Sequence, residues 1–61
     1  MAALTEKELS AIDEQLTQEQ LLIKKFKSYA SQATDPALKS KCEELASKHQ
    51  CHYDSLMNNL F

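Results

Sequence analysis

The sequence predicts an all-α fold, an antiparallel two-helix hairpin that dimerises into a four-helix bundle. Three observations lead to this prediction. The composition favours helix and contains no glycine, whereas the tight turns of β-sheets depend on glycine. Apolar residues recur at intervals of three and four along two long stretches, which is the spacing of one face of an α-helix. The single proline, Pro36, lies between the two stretches and ends the first helix, since proline disfavours helical geometry in the residue before it.

The first helix is predicted over residues 6–33, after an N-terminal tail and cap at residues 1–5. Thr5 and Glu8 have the spacing of a capping box, in which each side chain bonds to the backbone N–H of the other residue. No glycine or proline interrupts the stretch that follows. Its apolar stripe, with one glutamate in the middle, consists of Leu9, Ile12, Leu16, Glu19, Ile23, Phe26, Ala30 and Ala33.

The second helix is predicted over residues 36–59, after a turn at residues 34–35. Asp35 is suited to cap this helix and Pro36 to occupy its first position. A connection this short places two long helices antiparallel and side by side, so residues 6–61 form a single hairpin domain. The second stripe, with two histidines, consists of Leu38, Cys42, Leu45, His49, His52 and Leu56.

A second copy of the chain is expected to complete the core. Both stripes are wider than one neighbouring helix requires, and such width is typical of helices that face two neighbours in a bundle. A chain of 61 residues also buries too little surface to be comfortably stable alone. We therefore expect a homodimer with an isologous interface. The flanking positions are Leu22, Tyr29, Ala46 and Tyr53, and the residues expected to cover one end of the core are Met57, Leu60 and Phe61.

The composition argues against several functional classes. A net charge of −2 is unsuited to a general nucleic-acid binder, which needs a basic face. No stretch approaches the ~20 apolar residues of a membrane span. The N-terminus lacks a basic segment followed by an apolar one, so we expect a cytoplasmic chain without membrane insertion. No nucleophile-and-base arrangement, phosphate-binding loop or CxxC pair is present, so we expect no enzyme activity.

The two cysteines are predicted to stay unpaired within one chain. Cys42 and Cys51 lie on the same predicted helix, roughly 13 Å apart along its axis, which is too far for a disulfide. Cys42 lies on the stripe and is expected to be a small core residue, while Cys51 points away from it.

Glu19, His49 and His52 are the candidate site residues. Each lies roughly 21 to 26 Å from the turn at the helical rise of ~1.5 Å per residue, so a hairpin brings all three into one layer. A carboxylate from one helix facing two ligands three residues apart on another is how metal sites are built in helical bundles. This nitrogen-rich set favours zinc, or one divalent ion per hairpin, over an oxygen-activating diiron pair. The alternative is a buried ion pair between glutamate and histidine that fixes the register of the two helices.

Several short motifs occur together in the sequence. They are Gln18-Glu19-Gln20-Leu21-Leu22, Phe26 with Tyr29-Ala30, Asp35-Pro36-Ala37-Leu38-Lys39, and His49-Gln50 followed by His52-Tyr53 and Leu56. This combination resembles the spore coat protein F family of spore-forming Firmicutes. The resemblance implies a ferritin-like helical fold, a structural role in or near the spore coat, and coat proteins as partners. Longer family members carry two hairpins in one chain, whereas this sequence has one, which favours the dimer. The first functional hypothesis is therefore a non-enzymatic assembly protein, and the second is a small metal-binding bundle.

Overall fold

The computed structural model describes residues 4–60 and is entirely helical apart from the cap and the turn. Two helices, α1 (Glu6–Gln32) and α2 (Pro36–Leu60), lie against each other along a rod of 47 × 16 × 11 Å. The described part of the chain contains no strand. The predicted helical hairpin is therefore confirmed. The start of the predicted tail, residues 1–3, and Phe61, which was expected to cover the core, lie outside the described residues.

α1 begins at the predicted capping box. The backbone N–H of Glu8 donates to Thr5 Oγ1 at 3.1 Å, and the backbone N–H of Thr5 donates to Glu8 Oε1 at 3.1 Å. The hydrogen bond from the Thr5 backbone N–H to the Glu8 carboxylate, together with the Thr5 side chain, holds the pKa of Glu8 below its ordinary value. At the other end, Ala33 leaves the helical conformation, with φ −69° and ψ 131°, and its N–H donates to the carbonyl of Tyr29. The helix thus ends at Gln32, one residue before the predicted boundary.

The turn is fixed by Asp35 and Pro36, as the sequence predicts. Asp35 Oδ1 accepts hydrogen bonds from the backbone N–H groups of Ala37 at 2.9 Å and Leu38 at 3.5 Å. A side chain that accepts from the first free N–H groups of a helix is an N-cap. α2 then continues to Leu60, one residue beyond the predicted end.

Most of the buried residues along the line where the helices meet are small. The residues exposed by less than a tenth are Glu19, Ile23, Ala30, Cys42 and Ala46. Small side chains let two helix backbones approach closely. No side chain among the described residues is completely enclosed, because two helices alone cannot surround one. Ala46, expected at the flank of the stripe, is one of these five.

The prediction that Leu9 and Leu38 belong to the core is wrong for the single hairpin. Both are exposed, Leu9 by 46% and Leu38 by 55%. They lie at opposite ends of the rod. Leu9 lies in the first turn of α1 and Leu38 in the first turn of α2. Side chains near the ends of a two-helix rod have neighbours on fewer sides, and helical spacing alone does not show this.

The cysteines are placed as predicted. Cys42 is buried, Cys51 is exposed, and both are free thiols. Neither α1 nor α2 contains a segment long and apolar enough to cross a lipid bilayer.

Candidate metal centre

Glu19 is a buried carboxylate on the inner face of α1. It lies one helical turn before Ile23 and points at α2, and only 5% of the residue is exposed. A carboxylate removed from water to this extent needs partners that replace its hydration. Its position in the sequence explains its burial, because it occupies a place in the apolar stripe of α1 that would otherwise hold a leucine or an alanine.

The partners of Glu19 on α2 are His49 and His52, which lie three residues apart and therefore on the same face. The Nδ1 atom of His49 lies 2.6 Å from Glu19 Oε1, and the Nδ1 atom of His52 lies 3.6 Å from the same oxygen. Ligand atoms of the three side chains all lie within 4.8 Å of one another. The structure thus brings together all three residues that the sequence singled out.

The two histidines differ in their surroundings. The side chain of His49 is 20% exposed, and its ring stacks on Phe26 with the centroids 5.8 Å apart and the planes at 7°. The side chain of His52 is 47% exposed and meets the His49 ring edge-on at 5.3 Å. His49 is therefore fixed by packing, whereas His52 closes the cluster on its solvent side.

Gln15 also belongs to the site. Its side-chain Nε2 donates to Glu19 Oε2 at 2.9 Å, so one carboxylate oxygen is held by the amide while the other faces the histidines. Sequence reasoning missed this residue. The available signal was its spacing, since residues four apart on a helix are neighbours and a glutamine can donate to a carboxylate there. The stacking of Phe26 on His49 was also missed, although Phe26 was expected in the stripe.

Glu19 is ionised at neutral pH. Burial alone raises the pKa of this carboxyl, but the hydrogen bonds from His49 and Gln15 and the charges of the two histidines outweigh that effect, so the pKa is lowered from its ordinary value of 4.5. Hydrogen bonds to the charged form of a carboxyl favour that form. An ionised carboxylate beside two imidazoles is the protonation state that metal binding requires of it.

Two of the distances between ligand atoms can be compared with those around a four-coordinate metal. With metal–ligand bonds of ~2.0–2.2 Å in a tetrahedron, two ligand atoms lie about 3.3 Å apart. The His52–Glu19 distance of 3.6 Å is close to this spacing, whereas the His49–Glu19 contact of 2.6 Å is a hydrogen bond. A metal between them would replace the Nδ1 proton of His49 and lengthen that contact by less than 1 Å.

A surface groove on another side of the hairpin has no such donor cluster. It has a volume of about 670 Å³ and a floor of small residues, and its lining consists of Lys27, Ala30, Ser31, Lys39, Glu43, Ala46, Ser47, Gln50 and Cys51. None of the three candidate ligands lines it.

Comparisons with protein-family models, curated proteins and solved structures find no match for this chain. The resemblance to spore coat protein F thus depends on the sequence motifs alone and stays a prediction.

Proposed function

We propose that this chain is a non-enzymatic helical assembly protein that binds one divalent metal ion per hairpin through Glu19, His49 and His52. The observation that carries the metal site is the convergence of three ligand atoms within 4.8 Å, contributed by both helices. A buried glutamate is costly in an apolar interface unless it is paired. A cation bound between Glu19 and the two histidines would offset this cost.

The donor set favours zinc. Two imidazole nitrogens and one carboxylate oxygen are ligands that zinc accepts, and three protein ligands leave the fourth tetrahedral position for water or another group. Calcium and magnesium prefer sites rich in oxygen. A single carboxylate would compensate poorly for the charge of two ferric ions. Oxidation of iron at this site is therefore not part of the proposal.

The face that carries His52 is where we propose that a second copy of the chain packs. On α2, Leu38, Leu45 and His52 follow one another at intervals of seven and share one side of the helix. On α1, Tyr29 lies on the same side, since its ring meets Phe26 edge-on at 6.2 Å and Phe26 stacks on His49. Leu38 and Tyr29 are about half exposed. A twofold dimer through this face would bury them in a four-helix bundle.

Sedimentation equilibrium tests the dimer. The expected result is a dimer at micromolar concentration, and Leu38→Lys with Tyr29→Lys should give monomers, because two charges per chain would enter the interface. Lys replacing Leu21 is the matched control and should leave the dimer intact. Leu21 is 56% exposed and lies two positions from both Glu19 and Ile23, so it points away from α2. A parent chain that stays monomeric would overturn this part of the proposal.

The assembly role is supported by the resemblance to spore coat proteins and by the lack of a recognisable catalytic motif in the sequence. Its partners would be other coat proteins of a spore former. The test is localisation of a tagged chain in sporulating cells of the source organism. Signal at the coat would support the role, and signal confined to the mother-cell cytoplasm would count against it.

The competing explanation of the Glu19 cluster is a hydrogen-bonded pair that fixes helix register. The 2.6 Å contact between Glu19 and His49 favours this explanation in the metal-free protein. The two explanations differ in what zinc does. A metal that binds only the folded state raises its stability by about 2.7 kcal/mol at a concentration 100 times the dissociation constant, whereas a register-fixing pair gains nothing from zinc.

The experiment is a thermal melt with and without zinc, on protein purified without an affinity tag. Cys51→Ser serves as the background, because the exposed thiol of Cys51 could itself bind zinc. We expect zinc to raise the melting temperature of this background and to leave the His49→Leu, His52→Leu double variant unchanged. An equal rise in both proteins, or none in the background protein, would show that the cluster does not hold the metal.

A further inference from the structure

The hydrogen bonds to the Glu19 carboxylate bear on the class of cation that the proposed site would bind. We infer that Gln15 is a positioning residue that keeps Glu19 a one-oxygen ligand, so that the site accepts four-coordinate ions such as zinc and rejects ions that need many oxygen ligands. This inference rests on the proposed metal site and assigns its selectivity to a side chain that contacts no metal itself.

The two carboxylate oxygens of Glu19 have different partners. Oε2 accepts the hydrogen bond from Gln15 Nε2 at 2.9 Å, and Oε1 lies 2.6 Å from His49 and 3.6 Å from His52. Both the donor and the acceptor lie on α1, one turn apart, so the bond does not depend on how α2 moves. The amide thus holds the carboxylate in a fixed rotation with one oxygen turned toward the histidines.

The hydrogen bond from Gln15 to Oε2 limits the number of ligand atoms that the hairpin offers to a metal. With Oε2 engaged by Gln15, the hairpin offers two nitrogens and one oxygen, and a tetrahedral ion needs only one further ligand, such as water. With Oε2 released, the carboxylate could bind through both oxygens, as carboxylates commonly do with calcium. Larger coordination numbers and harder ions such as manganese would then be favoured.

Hydrogen-bond partners of metal ligands usually affect the affinity for the metal as well. Groups that hydrogen-bond to a metal-binding side chain orient it, and removing one typically changes metal affinity by about 10–100-fold. Because Gln15 is exposed at the helix surface and makes its bond to Glu19 within one helix, its replacement should leave the hairpin folded. The effect of losing the amide can therefore be measured on metal binding alone.

The test uses cobalt(II) as a spectroscopic probe in the Cys51→Ser background. Four-coordinate cobalt absorbs visible light much more strongly than five- or six-coordinate cobalt. We expect strong absorption from the background protein and clearly weaker absorption from Gln15→Met, which keeps the length of the side chain but lacks the donor. Competition between zinc and manganese should show that the preference for zinc falls by about tenfold or more in the same variant.

Two further variants make the outcome decisive. Gln15→Leu removes the donor with a different shape and should behave like Gln15→Met. Gln18→Met changes a neighbouring exposed glutamine of α1 that is not the donor to Glu19, and it should behave like the background. Unchanged cobalt absorption and selectivity in both Gln15 variants would overturn the inference and leave the metal site standing. Absence of cobalt and zinc binding in the background protein would overturn the proposed site itself.

Discussion

The line where the two helices meet has two parts that differ in chemistry. Between the turn and the histidines, the apolar section consists of small or medium residues that are well buried, namely Ile23, Ala30, Cys42 and Ala46. Next to it lies the polar layer of Glu19, His49 and His52, with Gln15 bonded to the glutamate. One part is held by close packing, and the other by hydrogen bonds between groups that also prefer water.

Because of this difference, we expect the apolar section to supply most of the stability of the hairpin and the polar layer to supply its metal-binding groups. The apolar section is closed at one end by the turn, so its contacts form between segments that are near each other in the chain and cost little loop-closure entropy. The polar layer begins where this section ends. We therefore expect its side chains to rearrange around an ion while the section next to the turn stays packed.

The largest expected effect is on the apolar section. Ile23→Ala should lower the free energy of unfolding by about 2–5 kcal/mol, the usual result of truncating a buried isoleucine. Leu21→Ala, two residues away but 56% exposed, should change it by less than about 0.5 kcal/mol. Urea unfolding followed by circular dichroism at one fixed protein concentration gives both values. Similar losses in the two variants would show that the buried apolar section is not the main source of stability.

Substitutions in the polar layer should not lower the stability of the metal-free hairpin. Replacing Glu19 and His49 together by leucine should leave the metal-free hairpin as stable as before or raise its stability by about 1–4 kcal/mol, since a buried pair can often be exchanged for apolar residues without loss. Urea unfolding in the presence of chelator measures this change. The same variant should lose its stabilisation by zinc. A large loss of stability without metal would show instead that the layer holds the hairpin together.

The turn should contribute less than the apolar section. Asp35→Ala removes the acceptor for the backbone N–H groups of Ala37 and Leu38 and should cost about 1 kcal/mol, as N-cap replacements do. Thr34→Ala, at the neighbouring exposed position, is the control and should have little effect. Thermal melts of both variants check the prediction, and equal melting temperatures would contradict it.

The smallest expected effect is a gradual loss of stability as the pH falls. The pKa of Glu19 is lower in the folded chain than its ordinary value of 4.5, so its contribution is fully present above that value and is lost as the pH falls through the folded pKa. Between about pH 5 and pH 3, the metal-free parent should therefore lose more stability than Glu19→Gln does. Glu14→Gln, an exposed carboxyl on α1, should follow the parent. Parallel curves for the parent and Glu19→Gln would contradict the assigned environment of Glu19.

Much of the fold could be predicted because its signals are local. The capping box at Thr5, the cap at Asp35 and the proline after it each depend on residues within one helical turn. The hairpin then follows from the short connection. The burial of Leu9 and Leu38 was predicted wrongly because both lie in the first turn of a helix, near an end of the rod, where a side chain has neighbours on fewer sides. The number of neighbours is a property of two segments together and is not contained in the spacing of one.

The three candidate ligands could be predicted from the sequence, but the rotations of the side chains around them could not. Glu19, His49 and His52 could be identified because polar residues interrupt two apolar stripes at equal distances from the turn. The angle of the Phe26 ring against His49, and the choice of carboxylate oxygen that Gln15 holds, depend on side-chain rotations. Periodicity shows the face of a helix on which a residue lies, and it carries no information on how the side chain is rotated there.

Among residues 4–60 no side chain is completely enclosed, and this has a consequence for how backbone amide hydrogens exchange with solvent. In a rod of 47 × 16 × 11 Å, the described backbone lies close to the surface, so we expect protection to come from the intrahelical hydrogen bonds and from the cooperativity of opening them. Helices fray from their ends. The slowest exchange is therefore expected in the middle of each helix, from Glu19 to Phe26 and from Cys42 to His49. A ligand held between those segments would slow exchange in both of them at once.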